Sequence, residues 1–408
     1  MIMDMNDKKN TEGQLDKPRF VGESRRVKLG DICEIVSGAT PKTKVDEYWG
    51  GSIKWITPAE LNDSSHIVCD TARHLTEAGY ASAGLRLFPK GTVILSTRAP
   101  IGKVAIAGDE MCCNQGFKNL ICSKEINNEY LYHYLRSHTS ELQSLGRGAT
   151  FKELSKKAVA AYEITLPSLD RQLEAVERFS FVENQIAAAK TQIEKFDQLV
   201  KSRFVEVFGT ADRPPAEFPV STIGEVCDSV IRGPFGSALK KSFFVPKGDD
   251  TYKVYEQKHA IQRRSDIGTY YITSNKYEEL KRFECFPGDI LMSCSGTMGK
   301  LYQLPQDCER GVMNQALCKF KLGNSILPDY FFGFMEQVVD DLGAKGSGIK
   351  NVSSVKFIKA IKIPLPPIEV QLDFAAFVSQ VDKPRFAIQQ QIEKLEMLKA
   401  SLMQEYFG

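Results

Sequence analysis

The chain has 408 residues, 42% of them hydrophobic and 25% charged, with a formal net charge of +2. This length fits two or three globular cores, and no run of about 18 apolar residues offers a membrane span. A near-neutral charge excludes a uniformly basic nucleic-acid binder, but the predicted loops gather cations at Lys42 and Lys44, Arg147 and Lys152, Lys240 and Lys241, Arg263 and Arg264, and Lys345 and Lys350.

In chain order, residues 1–20 read as a polar disordered tail, neither a signal nor a transit peptide. Residues 21–164 read as a globular unit with short strands at 92–96 and 104–107, bounded by Gly or Pro, and a helical stretch at 129–145. Residues 165–209 form a long helical segment, and residues 210–218, with Pro214-Pro215, a plain linker. A second unit follows at 219–363, with strands at 290–293 and 317–321 and a helix at 329–342. A second helical segment closes the sequence at 364–408. The ten cysteines contain no CxxC pair. They read as reduced, largely buried thiols of a cytoplasmic protein, with no metal site.

The sequence is written twice. Ile164-Thr165-Leu166-Pro167-Ser168-Leu169-Asp170-Arg171-Gln172 matches Ile363-Pro364-Leu365-Pro366-Pro367-Ile368-Glu369-Val370-Gln371. The match then runs along both helices without a gap, to Gly209 and Gly408. A helix rises about 1.5 Å per residue, so constant length is constant distance, as a spacer needs. Upstream, Leu29-Gly30-Asp31 matches Ile223-Gly224-Glu225, Gly102-Lys103 matches Gly299-Lys300, and Asn114-Gln115 matches Asn314-Gln315.

Apolar residues recur at 3-4 spacing in both helices: Ile186, Ile193, Phe196, Val200 and Phe204 in the first, Ile388, Ile392, Leu395, Leu398 and Leu402 in the second. This narrow stripe is a coiled-coil seam that neither helix buries alone. Asp382-Lys383-Pro384 predicts a break, with Asp382 as N-cap of a separate long helix. The expected fold is α+β: two mixed α/β domains in tandem pseudo-repeat, separated by long helices packing as an antiparallel coiled coil.

The motifs point to binding rather than catalysis. Thr97 to Lys103, with Arg98, and Ser295 to Lys300, with Thr297, follow strands. Each is either a tight turn or a turn that offers Arg, Lys, Ser or Thr to a phosphate or base edge. Asn-Gln before an apolar strand either fixes a turn or pairs with adenine. The loop Arg232-Gly233-Pro234-Phe235-Gly236-Ser237, running on to Lys240 and Lys241, could cradle a phosphate backbone. None of the five histidines falls in an acid-base motif, and GxSxG, HExxH and GxGxxG are missing.

Taken together, the chain resembles the specificity subunit of type I restriction–modification enzymes over residues 27–408. The resemblance rests on Leu29-Gly30-Asp31 with Gly38 and Pro41, Ile53-Lys54-Trp55-Ile56, the strand motifs at Gly91 and Gly288, the loop at Gly233 to Ser237, and above all the helix openers at Leu166 and Leu365. It implies two target recognition domains, each reading half of a split asymmetric site in double-stranded DNA, with the helices setting the gap. It also implies two modification (methyltransferase) subunits on the helices, joined by restriction/translocase subunits. S-adenosylmethionine, ATP and Mg are expected in those partners and no cofactor on this chain, which lacks an Asn-Pro-Pro-Tyr methylation motif and is expected not to be an enzyme. By charge and loop position the expected DNA contacts are Lys42, Lys44, Thr97, Arg98, Lys103, Arg147, Lys152, Arg232, Ser237, Lys240, Lys241, Ser295, Thr297, Lys300 and Lys350. The alternative is a tandem coiled-coil scaffold without DNA specificity.

Overall fold

The computed structural model describes residues 24–62, 64–98, 100–148, 152–344 and 355–407. The expected tail at 1–20 and the expected contact Lys350 lie outside the described residues. Each globular stretch is clasped by a two-stranded antiparallel ribbon. Arg25–Lys28 pairs with Glu163–Leu166, and Val220–Thr222 pairs with Lys362–Pro364. Both ribbons set the start of a globular stretch beside the opener of a long helix.

Inside the first clasp, a sheet runs in the order Cys33–Ser37, Lys118–Cys122, Val93–Thr97, Ile101–Ala107, Ile67–Val68. A smaller sheet joins His74–Leu75, Trp49–Ile56 and Cys112–Cys113, the last two parallel. The second clasp holds the same plan. Cys227–Arg232, Leu317–Leu322, Ile290–Ser293 and Leu301–Gln303 are all antiparallel. A second sheet places Thr251–Tyr255 parallel to Gly311–Met313. The strands expected from the sequence are all present, with the one expected at 104–107 starting earlier, at Ile101. Alternation of apolar residues is weak because these central strands are buried on both faces, as in Val93–Thr97. The ten cysteines are free thiols, most of them buried.

The long helices span Leu169–Phe208 and Ile368–Phe407, 40 residues each. The chain divides into two compact units, one of residues 1–189 with 390–408 and the other of residues 190–389, so the division runs through both helices. In the first unit, Phe179, Val182 and Ile186 pack with Leu402, Tyr406 and Phe407, and Glu183 pairs with Lys399 at 2.7 Å. In the second, Phe204 and Phe208 meet Phe374 at 5.5 and 5.3 Å, and Asp197 pairs with Arg385 at 3.1 Å. Within each unit the numbering of the two helices runs in opposite senses, so the pairing is antiparallel.

The expected seam is present, with two corrections. Ile186, Phe204, Ile392 and Leu402 are buried, and Ile193, Phe196, Val200, Ile388 and Leu395 are partly so, but Leu398 is 47% exposed. Lys399 holds that seam position instead, its stem covered and its ammonium on Glu183. The break at Pro384 does not occur. The second helix runs through Pro384, although an interior proline costs about 3 kcal/mol. Phe374 and Val381 before it and Ile392 after it are buried, and Arg385 bridges Asp382 and Asp197.

The segment 210–218 is tied down rather than plain. Gly209, at φ +71°, ends the helix. Ala211 donates to Gln337 Oε1 at 2.8 Å, and Phe218 joins the second unit's core.

One titratable group is buried in the first unit's core. His133 is 2% exposed and packs 4.8 Å from Phe179, facing Glu183, Arg136, Glu129 and His66. Burial pushes its pKa down to about 4. The unfolded value is about 6.5, so the folded state binds this proton less readily. Its stability is intact above about pH 6.5 and is lost as pH falls toward 4, by roughly 3 kcal/mol in all. His66 acts with the opposite sign, its pKa raised by the hydrogen bond to Glu129, so its contribution fades as pH rises. Urea unfolding followed by tryptophan fluorescence, in which both tryptophans (Trp49 and Trp55) report the first unit, should show a steep loss below pH 6.5 that His133→Leu removes. Parallel loss in both proteins would refute the assignment.

Candidate nucleic-acid interface

Both units present the same backbone at one end of the main sheet. The strand Val93–Thr97 runs into a turn that Ser96 ties: its Oγ donates to Pro100 O at 2.8 Å and accepts from Lys103 N at 2.8 Å. Ser293 does the same with Thr297 O at 2.7 Å and Lys300 N at 3.0 Å. Gly102 and Gly299 sit at φ +96° and +76°. An added Cβ there would come 2.5 Å from Thr139 Cγ2 and 2.4 Å from Val339 Cγ1.

Beside each turn lies an Asn-Gln corner. Asn114 Oδ1 accepts from Gly116 N, and Asn314 Oδ1 from Ala316 N, both at 2.9 Å. The asparagine therefore closes a local side-chain turn. The loops that follow Cys33–Ser37 and Cys227–Arg232 cross these corners at a glycine. A Cβ on Gly38 would lie 2.0 Å from Cys113 O, and one on Gly233 1.9 Å from Asn314 O. No other residue allows that approach.

On this shared frame the exposed side chains differ. In the first unit Arg98, Arg147 and Lys152 are exposed, as are Lys42 and Lys44 in the glycine loop. Arg98 and Arg147 are brought together by Glu153, whose backbone exchanges hydrogen bonds with Arg147 at 2.9 and 3.1 Å, while Leu154 N donates to Thr97 O at 3.0 Å. The Glu153 carboxylate stands 3.9 Å from both Arg98 and Lys118, a separation that leaves the exposed Arg98 weakly held. In the second unit Ser237, Lys240, Lys241, Thr297 and Lys300 are exposed and Ser295 is half-buried. Phe235, 63% exposed, stands on the same loop.

Three expected contacts are structural instead. Thr97 is buried, its Oγ1 donating to Gly116 O at 3.2 Å. The Lys103 ammonium donates to Pro58 O at 3.0 Å and to Leu61 O, capping a short helical turn. Arg232 is 5% exposed and donates to Leu317 O at 2.7 Å. All four acceptors are carbonyls 19 or more residues away in sequence. Sequence reading also passed over Arg73, whose guanidinium lies 3.3 Å above the Trp49 ring and joins the Trp49–Trp55 pair. No local pattern links Trp49 to Arg73. Among the described residues, no three His, Cys, Asp or Glu side chains are placed to hold a metal ion, and no helix is long and apolar enough to cross a membrane.

A profile described as the type I restriction modification DNA specificity domain matches residues 22–197 and again residues 215–397. The chain belongs to that family. Among specificity-family relatives, it is 38% identical over 184 residues to the MjaIX specificity subunit of Methanocaldococcus jannaschii, an alignment covering 44% of this chain and 43% of that protein. It is 26% identical over 175 residues to the EcoR124I/EcoR124II specificity subunit of Escherichia coli, covering 40% and 43%. The matched part thus spans less than half the length of these two relatives. The fold is that of the type I system S subunit from M. genitalium (TM-score 0.55, 14% identity, 97% of this chain and 98% of that one). It is also that of a chain from a structural study of complex assembly and conformational transition of the type I R-M system (TM-score 0.57, 18% identity, 95% and 98%). In specificity-family terms, each profile match takes in one globular stretch and most of the long helix that follows it.

Proposed function

We propose that the chain is the DNA-reading subunit of a type I restriction–modification complex. Each unit binds one half of a split, asymmetric site in double-stranded DNA, and the helices recruit the catalytic partners. One observation carries this reading: two copies of a single locked backbone frame present different sets of exposed polar and cationic side chains. A common frame suits a common ligand, and divergent side chains suit different sequences of it.

The helices support two equivalent partner subunits. Leu173 and Leu372 occupy matching positions and are 48% and 53% exposed, and Leu199 and Leu398 match and are each 47% exposed. Each unit carries one leucine of each pair, so the same apolar docking surface occurs twice. We assign these to two methyltransferase subunits, with S-adenosylmethionine there and with ATP and Mg on restriction subunits, and assign no catalysis to this chain.

The test is adenine methylation mapped genome-wide by single-molecule sequencing, with and without the chain beside its methyltransferase partner. A split motif that vanishes without the chain is expected. No chain-dependent motif despite an assembled, active partner would favour a scaffold. In the same assay, deleting four or seven residues within 184–205 is expected to shorten the gap or abolish methylation while leaving the half-site sequences unchanged. New half-site bases would contradict a spacer role.

A further inference from the structure

Two side chains on the shared frame do nothing for the fold that their position requires, yet occur in both units. Gln115 and Gln315 are exposed. Their neighbours are fixed by matching bonds. Asn114 N donates to Ile56 O at 3.1 Å and Asn314 N to Tyr255 O at 2.9 Å; Thr97 N donates to Gly116 O and Cys294 N to Ala316 O, both at 2.8 Å. With the asparagine closing the turn and the glycine loop pressed on it, each glutamine is carried on backbone that cannot drift. Its own side chain adds only a hydrogen bond from Thr40 Oγ1 to Gln115 Oε1 in the first unit, and Gln315 has no side-chain bond among the described residues. Gln115 also lies within the reach of the cationic edge, since Lys118 Nζ donates to its carbonyl at 3.3 Å and Arg98 follows the residue bonded to Gly116.

An exposed carboxamide on a rigid corner offers a donor and an acceptor side by side, the pattern that pairs with N7 and N6–H of adenine in the major groove. A residue common to two readers of different sequences should meet something common to both half-sites. We propose that Gln115 and Gln315 are equivalent base-reading side chains, each pairing with an adenine in its own half-site. The proposal rests on the DNA-reading function above and adds the residue and the base.

The test is methylation mapping of the complete complex carrying Gln115→Ala or Gln315→Ala. The unsubstituted protein should show an adenine in each half-site at equivalent positions. Each variant should relax that one position in one half-site, with discrimination there falling by about tenfold or more. The untouched half-site serves as the control for folding and assembly. Even loss of methylation at all sites without relaxation would make the glutamines phosphate or structural contacts and overturn the proposal, as would an unchanged motif. If the unsubstituted protein directs no split motif at all, the DNA-reading function itself falls, and the residue assignment falls with it.

Discussion

Phe204→Ala is expected to destabilise the second unit by about 3–5 kcal/mol, the range for removing a large buried aromatic. Phe204 is 3% exposed and joins three elements. It stacks 5.6 Å from Tyr330, contacts Phe208 at 4.9 Å and meets Phe374 of the second long helix edge-on. The helix Pro328–Ala344 comes so near that a Cβ on Gly333 would lie 2.2 Å from the Phe204 ring. No small shift of one neighbour can refill that space. Hydrogen exchange of the amides around Tyr330 should accelerate strongly. The tryptophan-reported transition, which belongs to the other unit, should move less. Protection changed by less than about 1 kcal/mol would mean the junction collapses to fill the cavity.

Gln172→Leu should be nearly as costly to the first unit, and Gln371→Leu to the second. Both glutamines are fully buried. Gln172 Oε1 accepts from Asn127 N at 2.8 Å, and its Nε2 donates to Glu125 O and Pro167 O, both at 3.0 Å. Gln371 repeats the set with Leu327 N at 2.8 Å, Ser325 O at 3.1 Å and Pro366 O at 2.9 Å. Leucine fills the space but takes the side-chain partner from one half-buried backbone donor and two backbone carbonyls, at about 1–3 kcal/mol for the donor and less for each carbonyl. A loss of roughly 3–4 kcal/mol is expected, read by tryptophan fluorescence in urea for Gln172→Leu and by hydrogen exchange for Gln371→Leu. A near-neutral result in either would mean that water replaces the amide.

These glutamines show what a sequence can and cannot disclose. Repetition marked the helix openers as the most specific motif, but two of the three partner atoms of Gln172 lie 45 and 47 residues upstream, and no local pattern names them. The seam was legible because apolar periodicity along a helix is local, and the strands because Gly and Pro bound their short apolar runs. Pro384 was misread because a local rule worth about 3 kcal/mol yielded to packing on both sides of it. Leu398 was misread because the choice between it and Lys399 depends on Glu183, a residue of the other helix. Thr97, Lys103 and Arg232 have the right chemistry for DNA contacts, and only tertiary structure reveals that distant carbonyls already occupy them. The Asn-Gln corners were open to two readings, and the structure separates the pair: the asparagine closes the turn and its glutamine neighbour is exposed.

The division of the chain also dictates an order of assembly during synthesis. The second unit is drawn wholly from residues 190–389, whereas the first needs Leu402, Tyr406 and Phe407 to cover Phe179 and Ile186. Domains made first on the ribosome usually fold first. Here the earlier-made unit must wait, its helix seam uncovered, while all 200 residues of its neighbour emerge. A frameshift or stop just after Gln389 would therefore spare the later-made unit and leave the earlier one unfinished.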